Sequence, residues 1–101
     1  LKFGLENIDI QKIQKVFASF PEVEKAILYG SRAKGNYKKG SDIDLCLVGE
    51  NLNLTIINAI STQIDDLLLP YMFDISIFHQ ISNADLIDHI NRVGKLFYIK
   101  D

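Results

Sequence analysis

Tryptophan is absent from this 101-residue chain, cysteine and methionine occur once each, proline occurs twice, and neither charge sign dominates. The lone Cys46 excludes an intrachain disulfide and fits a reducing compartment such as the cytoplasm. No apolar run is long enough to cross a bilayer. No basic stretch leads into an apolar one, so no signal peptide is expected. A net charge of −2 argues against broad electrostatic binding to nucleic acid, so any cationic function must be local. What the chain does have is apolar content, at 48%, enough for a core, and a length that suits one compact domain over residues 1–101.

The apolar spacing sets the elements. Ile13, Val16, Phe17 and Phe20 share a helical face and predict a helix over 8–20, stopped by Pro21. KAILYG (25–30), DIDLCLVG (42–49) and FDISIF (73–78) read as strands, and LFYI (96–99) as a short last one. Residues 53–69 read as the longest helix, with Ile57, Ile60, Ile64, Leu67 and Leu68 inward and Pro70 beyond its end. Ser82 and Asp85 suggest a capping box for a helix over 83–93, with Leu86, Ile90 and Val93 inward and Gly94 as its stop. The order α-β-β-α-β-α, with a terminal strand, predicts an α+β fold: a small mixed sheet with helices packed on one face.

One stretch does not read as packing alone. GSRAKGNYKKGSDIDL, residues 30–45, opens on a Gly-Ser turn and carries Arg32, Lys34, Lys38 and Lys39 within eight residues that hold no acid. It closes on Asp42 and Asp44. Strand alternation sends these two carboxylates to one face and Ile43, Leu45 and Leu47 to the other. At a separation of roughly 6–7 Å the two charges repel by about 2–3 kcal/mol at an effective dielectric near 20. A divalent cation reverses that sign, and oxygen ligands with phosphate and water suit Mg²⁺. Asp74 sits in an otherwise apolar strand and shares a face with Ser76. If its strand neighbours DIDLCLVG, it joins the other two. Two other motifs fail. GNYKKGS (35–41) lacks the lysine of a P-loop and leads into a strand, and DIDLCLVG has Cys46 where a calcium loop needs an oxygen ligand.

Gly30-Ser31, ten residues, then Asp42-Ile43-Asp44 resembles the G-S-x10-D-x-D signature of the nucleotidyltransferase superfamily related to DNA polymerase β. The local wording is similar to the minimal nucleotidyltransferases, or MNT proteins. The likeness extends through LPYMFDISIF to the last helix. It implies a nucleotidyltransferase fold and the transfer of a nucleoside monophosphate, AMP from ATP, to a hydroxyl. By position, Gly30 and Ser31 would hold the β- and γ-phosphates, and Arg32 would neutralise triphosphate charge. Asp42 and Asp44 would bind Mg²⁺, and Asp74 would complete a two-metal site and help to deprotonate the acceptor. MNT proteins commonly act with a helical HEPN-type partner, as antitoxins that adenylylate a tyrosine of a HEPN toxin. The resemblance therefore implies such a partner for this chain.

Two other readings stand beside that one: a module that neutralises a partner by contact alone, and transfer to a small molecule of the aminoglycoside type. A helical partner would need an apolar surface, for which Ile87, Phe97 and Tyr98 are the candidates. His79 and His89 read as structural or surface histidines, Cys46 and Tyr29 as packing residues, and Tyr37 as a loop residue able to stack on a base.

Overall fold

A computed structural model describes all residues, 1–101. The elements are α1 (Asn7–Ala18), β1 (Lys25–Tyr29), α2 (Gly30–Lys34), β2 (Ile43–Val48), α3 (Leu54–Asp65), β3 (Phe73–Ile77), a 3₁₀ turn at Phe78–Gln80, α4 (Ala84–Val93) and β4 (Lys95–Ile99). The sheet order is β3-β2-β1-β4. β1 runs antiparallel to β2 and β4, whereas β2 and β3 are parallel. The parallel pair needs a crossover, and α3 supplies it.

Alternation along the strands divides the apolar side chains between two faces. Ala26, Leu28, Ile43, Leu45, Leu47 and Ile77 join Ile10, Ile13, Val16 and Phe17 of α1 and Ile57, Ile60 and Ile64 of α3 in the main core. The opposite face holds Tyr29 and Cys46, which pack with Ile90 of α4. The mixed sheet and α+β class are as expected. One-sided packing describes the two long helices, while α4 covers the second face.

Local differences have physical causes. α1 and α3 end earlier than the apolar spacing predicts. Leu68 is 88% exposed with φ of 57° and is no part of the buried stripe. Leu69 precedes Pro70, which disfavours helical backbone there, so the chain leaves α3 in a turn that points Leu68 outward. α4 is capped by Asn83, whose side chain accepts from the Leu86 amide at 3.1 Å, so Ser82 is not the cap. Gly94 does end α4, but with φ of −58°. Glycine is needed there for space, since a Cβ would collide with the Ile90 carbonyl and the Ile27 side chain. The residues Gly30–Lys34, where the sequence suggests a strand end and a Gly-Ser turn, form a short helix. Near the chain end, an irregularity in the β1–β4 register turns Phe97 into the core, where it is 3% exposed. Leu96 and Ile99 are the exposed apolar residues of that strand instead.

Candidate active site

The site lies where β1 ends and β2 and β3 begin. Tyr29 pairs with Asp44 across the antiparallel strands. Asp44 pairs with Asp74 in the parallel register. Asp42 stands just before β2, exposed, and Asp44 is half-buried. Ile43 and Leu45 are fully buried on the other face, which fixes the direction of both carboxylates. Asp74 is exposed on β3. Three carboxylates thus line one edge of the sheet.

Their mutual repulsion is visible at Asp44. Burial raises its carboxyl above the ordinary range, and the Asp74 and Asp42 charges raise it further. Because the folded-state value is raised, the folded protein binds more protons than the unfolded chain above the ordinary carboxyl value near 3.8. The contribution of Asp44 to stability therefore falls as pH rises through that window. Asp44→Asn should lose less stability than wild type between pH 4 and pH 7, and should be at least as stable at pH 7. Urea midpoints at the two values for both proteins check this, and a steeper fall in the variant would contradict it.

The donor set is all carboxylate oxygen, open to solvent on two of its three members. No group of three or more His, Cys, Asp or Glu side chains is placed so as to hold a metal ion by itself. Few protein ligands, excess negative charge and an open side fit Mg²⁺, which keeps water and phosphate in its shell, better than a cation that demands a full protein cage.

Beside the carboxylates, Gly30 opens α2 with φ of 75°. A Cβ at Gly30 would run into the Asp44 carboxylate, so the turn and the acid can lie together only with glycine at this position. Ser31 follows, half-exposed at the start of α2. The Gly30 amide donates to His89 Nε2 at 3.1 Å. His89 lies on the inward stripe of α4 with Leu86, Ile90 and Val93, and a polar residue on that stripe was the sequence signal for it.

Arg32 is placed differently from a phosphate ligand. It is 2% exposed. Its Nε and Nη2 donate to the Ser41 carbonyl at 3.1 and 2.8 Å, and Nη1 donates to the Phe3 carbonyl at 2.9 Å. The guanidinium lies against the rings of Tyr37 and Tyr71, at 5.4 and 5.0 Å. Arg32 therefore clamps the 35–41 loop that delivers Asp42. Lys34, Lys38 and Lys39 are exposed around it. Beneath the carboxylate edge lie Tyr29, Cys46 and Ser76. Burial pushes the Cys46 thiol up to about 11, which makes it a packing residue and not a nucleophile. The Tyr29 hydroxyl is also raised, chiefly by burial. The Ser76 hydroxyl lies close to both but is buried without a hydrogen-bond partner.

A Gly-Ser turn leaving one strand, with aspartates in register on the next two strands of a mixed sheet, defines a nucleotidyltransferase-type domain. The family described as polymerase beta, nucleotidyltransferase matches residues 11–101, and the chain belongs to that family. No curated protein matches the chain. Several solved structures share its fold. A chain of a toxin–antitoxin complex with AMP-PNP superposes with a TM-score of 0.73 at 19% identity, over 91% of this chain and 74% of that one. A chain of the MntA–HepT toxin–antitoxin gives 0.68 at 16% identity, over 94% and 74%. A chain from the complex of tri-AMPylated Shewanella oneidensis HEPN toxin with MNT antitoxin gives 0.70 at 16% identity, over 95% and 74%.

Proposed function

We propose that this chain transfers AMP from ATP to a hydroxyl, the new ester forming at the α-phosphate as the α–β bond breaks and pyrophosphate leaves, specifically to a tyrosine of a HEPN-type helical partner, and so acts as an antitoxin in the cytoplasm. The observation that carries the proposal is the single edge shared by Gly30-Ser31, Asp42, Asp44 and Asp74. The partner is supported by fold neighbours that come from toxin–antitoxin complexes, one with AMP-PNP and one with an AMPylated HEPN toxin.

Each residue has a part in this reading. The backbone at Gly30 comes close to the triphosphate because no side chain intervenes, and the Ser31 hydroxyl donates to a phosphate oxygen. Asp42 and Asp44 would hold Mg²⁺ against the triphosphate, and Asp74 would complete a second site. Two such ions, when bound, neutralise the charge developing on the attacking and leaving oxygens. Asp74, exposed at the rim, also accepts the proton of the incoming hydroxyl. Arg32 keeps the loop in the shape that presents Asp42, and Lys34, Lys38 and Lys39 draw the polyanion towards the site.

Calorimetry with a non-hydrolysable ATP analogue tests the site. Binding should need Mg²⁺ and should be lost in EDTA. Equal affinity in both conditions would defeat the two-ion reading. In the same assay Gly30→Ala should bind the analogue at least about tenfold more weakly, because the left-handed backbone costs about 1–2 kcal/mol for an L-residue and the new methyl displaces the Asp44 carboxylate. Unchanged affinity would mean that the turn does not contact nucleotide.

A further inference from the structure

Gly30 has no side chain to fix its backbone, sits at φ of 75°, and is crowded by the Asp44 carboxylate. Its amide is the first of a short helix, a position with no intrahelical acceptor. The acceptor comes from α4, which covers the face of the sheet that carries Cys46 and Asp44. His89 Nε2 takes the Gly30 N–H at 3.1 Å, in a part-buried setting. Acceptance at Nε2 requires the neutral ring with its proton on Nδ1. The ring is held in turn: it packs edge-on against Tyr29, with centroids 6.1 Å apart and planes at 83°. Its neighbour Ile90, 2% exposed, anchors α4 against Tyr29 and Cys46. The last residue of β1, the turn and α4 are therefore tied together through one imidazole.

We propose that His89 is a positioning residue for the nucleotide: by accepting the Gly30 amide it sets the orientation of the Gly30-Ser31 turn, and with it the Ser31 hydroxyl that meets the phosphates. The inference rests on the nucleotidyltransferase reading and adds to it a residue outside the signature. Because the turn would hold phosphate before and during transfer alike, losing the anchor should raise KM for ATP more than it lowers kcat.

Two substitutions separate the acceptor from the ring. His89→Phe keeps an aromatic edge for Tyr29 but cannot accept, whereas His89→Gln places a carbonyl oxygen near the Nε2 position. For His89→Phe, KM for Mg²⁺-ATP should rise about tenfold, the effect of stranding one part-buried donor, with kcat changed less. His89→Gln should stay within about threefold of wild type. If the phenylalanine variant does not fold, His89→Leu serves as the acceptor-free form. Amide exchange of Gly30, measured without nucleotide, reads the hydrogen bond directly: it should accelerate in the acceptor-free variant and be largely restored in His89→Gln. The inference is overturned if the acceptor-free variant matches wild type in KM, if His89→Gln falls as far as His89→Phe, or if Gly30 exchange is the same in all three. Wild-type protein that shows the Gly30 protection but neither binds nor transfers nucleotide would instead refute the nucleotidyltransferase reading, and the positioning role would fall with it.

Discussion

Asp42→Asn combined with Asp44→Asn should leave a folded protein that transfers AMP at least about a thousandfold more slowly than wild type, the scale of several kcal/mol of lost charge stabilisation at the reacting phosphate. The fold should survive because neither side chain supports the core: Asp42 is exposed, and the packing residues of β2 are Ile43, Leu45 and Leu47 on the opposite face. Removing the Asp44 charge also relieves repulsion with Asp74 and Asp42. Transfer of labelled AMP, read beside a thermal melt, measures both effects. The variant also separates catalysis from contact. If it still protects cells from the partner as well as wild type does, neutralisation is by binding and the transferase reading fails for the biological role.

Arg32→Ala should cost about 3 kcal/mol of stability, since two part-buried carbonyls lose a charged donor at once. The Ser41 and Phe3 carbonyls both depend on the guanidinium, and the two tyrosine rings close over it. Arg32→Lys should recover little, because an ammonium cannot span carbonyls set in a planar fork. Urea unfolding measures the loss. A variant as stable as wild type that loses ATP binding would return Arg32 to the role of direct phosphate ligand.

That residue shows where sequence reasoning stopped. Arginine in a run of cations reads as exposed, and only the tertiary placement of Phe3 and Ser41 reveals that it is enclosed. The strands were legible because two-residue alternation separates Asp42 and Asp44 from Ile43 and Leu45. The neighbouring of β2 and β3 was conditional in sequence, and the Asp44–Asp74 register supplies it. α2 was not legible, since five residues make little more than one turn and show no periodicity. The α4 cap shifted by one residue because serine and asparagine stand side by side at 82–83 and both are good caps. His89 read as a structural or surface histidine. Its place on the inward stripe of α4 was readable, but the Gly30 amide that it meets comes from 59 residues earlier in the chain.

The central claim is most directly tested by the intact mass of a HEPN-type protein that co-purifies with this chain, taken before and after incubation with Mg²⁺ and ATP. The account predicts a mass increase of one or more AMP groups on a tyrosine of that protein, absent with EDTA and absent with the Asp42→Asn, Asp44→Asn variant. An unchanged partner mass, with label appearing only on an added aminoglycoside or on nothing, would contradict it.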